Sequence, residues 1–263
     1  MPHNPDFEFL SVERRDAVLH VRLQRPERLN AFAGTVRDDL RLVIEQADRD
    51  PGVGCLVVSG EGRAFCAGGD VDVMHDIRRG DDLDAFAAIL DAANGAALAL
   101  RLCRVPTIAL VHGAAAGGGA NLALGCDVRW GSETASFTQS FIHLGLAPDW
   151  GGSRLLVEVV GSDRARELLM TGRTVRAEEA RALGLLHRVV EGDALLEKGL
   201  ELADTLAGRS PTALKALDTL LASAVSGASF EDQLALERRE QLACFDSAEA
   251  RTAFEAFLAR RKR

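Results

Sequence analysis

The 263-residue sequence has no stretch approaching ~18 uninterrupted apolar residues, which argues against a membrane span. Its opening residues, Met1 to Asp6, offer neither a basic start nor an apolar leader segment, so export is not expected and the cytoplasm is the expected location. Positive charge is also scarce: 31 Lys and Arg stand against 39 Asp and Glu, for a net charge of −8, which disfavours nucleic acid as the main partner. The dense basic run is Arg260-Arg261-Lys262-Arg263 at the C-terminus. The five cysteines, Cys55, Cys66, Cys103, Cys126 and Cys244, are scattered, lack CxxC spacing and mostly sit in apolar runs, as reduced core thiols do. Low-complexity segments and repeats of fixed period are missing as well. What is present is an ordinary globular composition, 47% apolar and 27% charged with both signs mixed, long enough for one large domain or one domain with a helical appendage.

Two alternating β-rich runs, Phe7 to Val12 and Ala17 to Leu23, flank Arg14-Arg15-Asp16 and predict an opening hairpin. Val36, Leu40, Val43, Ile44 and Ala47 recur at helical spacing until Asp50-Pro51-Gly52 stops them. A buried strand at Cys55 to Val58, a long helix over 81–102, a second strand at Thr107 to Val111 and a helix near 119–125 follow. This alternation predicts an α/β fold with parallel strands covered by helices. From about Asp193 the strand signals stop, and helices are predicted over 193–207, 211–224 and 229–259, the last broken near Asp246-Ser247. The division is therefore a core of residues 1–192 and a helical lid or oligomerisation region of residues 193–263.

Two glycine-rich segments follow strands. Ala64-Phe65-Cys66-Ala67-Gly68-Gly69-Asp70 comes after the strand at 55–58, and His112 to Ala120, with Gly117-Gly118-Gly119, opens a helix. Each alone is an ordinary turn. Neither has the spaced glycines and downstream acid of a dinucleotide site, nor the Lys-Ser/Thr ending of a phosphate loop. Two such turns over one pocket can instead offer two N–H groups to one oxygen, the arrangement of an oxyanion hole.

These segments, with Arg25 to Ala31 (RPERLNA), Gly60 to Asp70 (GEGRAFCAGGD), His112 to Asp127 (HGAAAGGGANLALGCD), Gly145 to Gly152 (GLAPDWGG), Leu168 to Val190 and Phe254 to Arg261, resemble in order the crotonase superfamily, the enoyl-CoA hydratase/isomerase family, over roughly residues 8–262. The resemblance implies a spiral of ββα turns, a C-terminal helical region used to assemble trimers or hexamers, and acyl-CoA substrates of fatty or aromatic acid breakdown, with no metal and no cofactor apart from the coenzyme A of the substrate. It implies that the N–H groups of Gly69 and Gly118 hold the thioester oxygen. It also implies that Arg28, Ala64, Ala67, Gly68, Asp70, Val71, Gly117 and Phe141 contribute to the substrate pocket. The basic C-terminal run is then a solvated tail or a contact to the phosphates of coenzyme A. Asp70, part of the loop signature, is expected to hold turn geometry through side chain to backbone hydrogen bonds.

The family's hydratases use two glutamates, and here those positions hold Asn121 and Phe141, neither of which titrates near neutral pH. Asp149, between Pro148 and Trp150-Gly151-Gly152, is the replacement acid, in the setting of the subgroup containing the 1,2-epoxyphenylacetyl-CoA isomerases. Its alternative role is to cap the helix beginning near Ser153. The dehalogenase subgroup also has an Asp here but needs a His on the helix over 81–102, which contains none; His75 and His112 lie outside it. Asn121 remains a candidate to hydrogen-bond substrate or water. The expected activity is an enoyl-CoA isomerase in which Asp149 shuttles a proton. The rivals are a hydratase-like lyase, an acyl-CoA hydrolase, and a catalytically inactive acyl-CoA-binding or RNA-associated member of the family.

Overall fold

A computed structural model describes residues 7–261 of the chain; residues 1–6, and Lys262 and Arg263 of the basic run, lie outside the described residues. The predicted hairpin is β1 (Leu10–Arg15) and β2 (Val18–Leu23), antiparallel with Leu10 opposite Leu23, and Asp16 supplies the positive φ of 51° at its turn. After α1 (Val36–Arg49), the chain adds β3 (Cys55–Gly60), and after α2 (Val71–Arg79) and α3 (Leu83–Leu102) it adds β4 (Thr107–Val111). It continues through β5 (Ala114–Ala116), α4 (Gly118–Gly125), β6 (Val128–Ser132), β7 (Ser136–Thr138), α5 (Gly152–Val160), α6 (Ser162–Thr171), β8 (Thr174–Arg176), α7 (Ala177–Leu183), β9 (Arg188–Val190) and α8 (Leu195–Ala207). The main sheet runs β1-β2-β3-β4-β6-β9, parallel from β2 onward, and a small sheet runs β5-β7-β8. Successive strand pairs β4–β5 and β6–β7, each followed by a helix, form the spiral of ββα turns.

Both faces of the central strands β3 and β4 are buried, which is why these two read as continuous apolar runs rather than alternating ones. Alternation reappears in what each side chain touches. Leu56, Val58, Ala109 and Val111 join the larger core with Leu40, Val43 and Ile44 of α1, while Cys55, Val57, Ile108 and Leu110 join a second core with Leu195 and Ala203 of α8. That packing moves the expected boundary. The first compact unit ends at Ala207 rather than at residue 192, because α8 closes the second face of the sheet instead of belonging to the helical tail. The helix expected over 81–102 is α3, and α2 is a further, short helix ahead of it, not expected from the sequence. No residue of α2 is fully buried, and its apolar repeat of Val71, Met74 and Ile77 spans only nine residues, too short to stand out from a loop. By length and composition α3 could cross a bilayer; here it turns Ala93, Ala96 and Leu100 into the core.

The second unit, residues 208–263, contains α9 (Pro211–Val225), α10 (Phe230–Asp246) and α11 (Ala248–Arg261). Ser210 and Ser229 cap α9 and α10 through their hydroxyls, Pro211 sits where a missing N–H costs nothing, and the predicted break falls at Ser247. Within this unit Leu217, Leu221, Phe230, Leu242, Phe254 and Phe257 stay exposed.

Candidate active site

The first glycine loop is strapped in place by the stretch before α1. Asn30, at a φ of 57°, accepts the Arg25 N–H at 2.9 Å and donates to the carbonyls of Glu61 and Ala64 at 2.8 and 2.7 Å. Phe32 then brackets the loop, its N–H donating to the Gly68 carbonyl at 2.7 Å and its carbonyl accepting from the Asp70 N–H at 3.2 Å. The second loop meets the first through Cys66, whose N–H donates to the Ala114 carbonyl and whose carbonyl accepts from Ala116. The approach is so close that a Cβ on Gly119 would stand 2.3 Å from the Cys66 carbonyl oxygen, so only glycine fits there. Among the described residues neither the Gly69 N–H nor the Gly118 N–H finds an acceptor, and both glycines line one cavity of about 370 Å³.

Apolar side chains make up most of that cavity wall, among them Val71, Met74, Phe86, Phe141 and Leu146, with Ala67 and Gly117 beside the two loops. Arg37 and Asp149 are its charged lining residues, and Asn94 and Ser140 its polar ones. The pocket residues expected from the sequence thus divide. Gly69, Gly117, Gly118, Ala67, Val71, Phe141 and Asp149 reach the cavity, whereas Ala64 and Gly68 turn their carbonyls to Asn30 and Phe32. Arg28 and Asp70 lie off the cavity wall in an ion cluster. Asp70 pairs with Arg25 at 2.6 Å and accepts the Asp72 N–H at the start of α2, and Arg28 bonds to Asp72. Burial opposes ionisation of Asp70, but the Arg25 hydrogen bond and the backbone N–H hold its carboxyl below the ordinary value. Its expected turn-holding role is what these bonds perform.

Asp149 does not cap a helix. The N-cap of α5 is Gly151, without a side-chain cap, and Oδ1 of Asp149 is buried with no hydrogen-bond partner. Burial pushes its carboxyl up from 3.8 to about 6, against the opposing pull of Arg37. What fixes Asp149 is its backbone. Its carbonyl accepts from Asn121 Nδ2 at 3.0 Å and from the Gly152 N–H at 2.8 Å. Next to it Trp150 takes a φ of 54°, costly for a bulky residue, and is held by stacking on Phe32 with ring centroids 4.9 Å apart.

Asn121, a candidate to hydrogen-bond substrate or water, is engaged within the protein instead. Its amide is committed on both sides, Nδ2 to the Asp149 carbonyl and Oδ1 to Gln139 Nε2 at 2.9 Å, and it lies off the cavity wall. It holds the Asp149 backbone in place. His112 bonds the Gly62 carbonyl at 2.9 Å and His75 is exposed, so neither faces the cavity. Arg37 was not singled out from the sequence. Only its place beside Val36 and one turn before Leu40, on the inward side of α1, marks it as a charge pointing the wrong way. It is 7% exposed, its Nε has no partner, and its guanidinium lies 5.3 Å from the Phe32 ring centroid. Burial lowers its pKa, and the nearby carboxylate of Asp149 opposes that.

Comparison with known proteins was consistent across the chain. The sequence profile described as enoyl-CoA hydratase/isomerase matches residues 13–263. A Mycobacterium bovis protein named probable enoyl-CoA hydratase is 36% identical over 255 residues, covering 97% of this chain and 96% of the relative. The 1,2-epoxyphenylacetyl-CoA isomerase of Escherichia coli is 35% identical over 254 residues, covering 97% of each. The crystal structure of an enoyl-CoA hydratase from Polaromonas sp. JS666 superposes with a TM-score of 0.90 at 31% identity, over 95% of this chain and 97% of that one.

Proposed function

The chain belongs to the enoyl-CoA hydratase/isomerase family, and we propose that within it the protein is an acyl-CoA isomerase whose proton carrier is Asp149. The observation that carries this reading is the buried, unpartnered Oδ1 of Asp149 on the wall of the cavity that Gly69 and Gly118 also line. In a 3-enoyl-CoA the Asp149 carboxylate removes a proton from C2, and the electron pair moves toward the thioester carbonyl. The oxygen becomes an enolate held by the N–H groups of Gly69 and Gly118. The carboxylic acid then returns the proton to C4, and the double bond moves from C3–C4 to C2–C3. A carboxyl raised to about 6 suits both halves, since it is ionised enough to accept a proton and acidic enough to release one. Rearrangement of an epoxide-bearing ring acyl group would use the same parts.

Several relatives carry hydratase names, but the site argues against water addition here. Phe141 is apolar, and the amide of Asn121 is already committed to the Asp149 carbonyl and Gln139, which leaves no second carboxylate on the cavity wall, among the described residues, to hold and deprotonate water. The exposed apolar side chains of α9 to α11 support assembly through the C-terminal unit, as a trimer or hexamer. The test of the function is side-by-side turnover of 3-enoyl-, 2-enoyl- and ring-epoxide CoA thioesters, with deuterium uptake from heavy water. Isomerisation with exchange, and negligible hydration of crotonyl-CoA, is the expected result. Efficient hydration would overturn the reading, and a protein that binds these thioesters without exchange or turnover would be a passive acyl-CoA binder.

A further inference from the structure

Arg37 is the one cationic side chain lining the cavity among the described residues, and nothing in the proposed proton transfer uses it. A guanidinium carries five N–H donors that radiate from its edge. Stacking on Phe32 satisfies its face and leaves that edge unmet, and no hydrogen bond or ion pair takes it up among the described residues. Burying Nε without an acceptor is unfavourable, and the Nη groups, which open to the cavity, are placed to donate to an oxygen that enters it. The edge is also well placed. Nη2 lies 3.7 Å from where a Cβ on Gly69 would stand, so the guanidinium borders the loop proposed to hold the thioester oxygen.

We infer that Arg37 is a receptor for an oxygen atom on the acyl group, and that the substrates are acyl-CoAs bearing a hydroxyl, carbonyl, epoxide or carboxylate oxygen within a few bonds of the thioester, rather than plain hydrocarbon chains. The inference rests on the acyl-CoA reading of the site and narrows its substrate class. The apolar wall formed by Val71, Phe86, Phe141 and Leu146 takes the carbon skeleton, and Arg37 selects for the oxygen. A site built around an unmet donor discriminates strongly against an analogue that lacks the acceptor, because the donor is then desolvated for nothing.

The test uses saturated thioesters, which have no double bond to shift, so binding is read independently of isomerisation. Calorimetry of the wild type compares hexanoyl-CoA with its 3-hydroxy and 4-oxo derivatives, and pentanoyl-CoA with glutaryl-CoA. The first set probes a neutral oxygen and the second a carboxylate. At least one oxygenated member is expected to bind roughly ten- to a hundredfold tighter than its hydrocarbon counterpart, the strength of hydrogen bonds from a charged donor. Arg37→Met is expected to bind the two members of that pair alike, and Arg37→Lys to keep part of the preference. If no oxygenated thioester is preferred by the wild type, Arg37 is simply a hydrated cation and the inference fails. It fails equally if a folded Arg37→Met protein, checked by circular dichroism, keeps the preference. Should the Met variant not fold, the wild-type comparison decides alone. An oxygen preference without deuterium exchange would sink the isomerase reading and leave this one standing.

Discussion

Replacing Asp149 by Asn should make the protein more stable and nearly inactive at once. The folded carboxyl is displaced from 3.8 to about 6 by burial, so the fold favours its neutral form. That favour is fully present below the unfolded value near pH 4 and is lost as pH rises through 6. At about 1.4 kcal/mol per pKa unit, the displacement sets an upper bound of about 3 kcal/mol on what the wild type forgoes at pH 8. Asp149 is only partly buried and solvent screens it, so we expect the Asp149→Asn variant to gain about 1–2 kcal/mol at pH 8 and about half of that at pH 5. Urea unfolding followed by tryptophan fluorescence, across pH 5 to 8 and at one fixed protein concentration because assembly would shift the midpoint, measures both quantities. Turnover should fall ~10²–10⁴-fold with the loss of the titrating group. An Asn variant no more stable than wild type at pH 8, or a stability gap that ignores pH, would show that burial is not what raises Asp149. Wild-type turnover in the same variant would remove it from the chemistry altogether.

The wild-type kcat/KM should show an acid limb near pH 6, because Asp149 must be ionised to accept a proton, and Arg37→Met should move that limb upward by removing the charge that opposes the shift; a limb that stays put would mean Arg37 does not act on Asp149. Asn121→Asp exchanges a donor for an acceptor opposite the Asp149 carbonyl, so kcat should drop roughly tenfold or more while thioester affinity changes little, and an unchanged kcat would make the clamp dispensable. Gly118→Pro deletes one N–H donor and should cost ~10²–10³-fold in turnover in a protein shown to be folded by circular dichroism. Gly118→Val keeps the donor but would place its Cβ 2.9 Å from Trp150 Nε1, so it should disturb the Trp150 stack and lower kcat as well; full activity in either variant would reduce the second glycine segment to a packing turn.

The helices and strands that can be read in the chain are those whose burial is written along the backbone. The runs at 55–58 and 107–111 are apolar on both faces and register as strands, and Pro211 and Ser247 mark helix ends that the structure reproduces. Gly69, Gly118 and Asp149 are singled out through the family resemblance, which contiguous motifs such as Pro148-Asp149-Trp150-Gly151-Gly152 carry, and the structure places all three on one cavity wall. The parts that escape are relational. α2 is only nine residues long with none fully buried, so its apolar spacing at Val71, Met74 and Ile77 is too brief to announce it. α8 looks like any other helix until its contacts with Cys55, Val57 and Leu110 assign it to the sheet. Arg37 gains meaning only beside Phe32, Gly69 and Asp149, and the duty of Asn121 depends on a carbonyl 28 residues away that no side chain reveals.

That carbonyl limits what position 121 can hold. Where the family resemblance expects an acid, this chain carries Asn121, and its amide fastens the peptide of Asp149, the proposed proton carrier. Placing Glu at position 121 would set one acceptor against another and loosen Asp149, while Phe141 supplies no companion acid. An amide at 121 and an acid at 121 thus exclude each other as neighbours of Asp149: the first tethers the loop that presents the proposed proton carrier, and the second would release it.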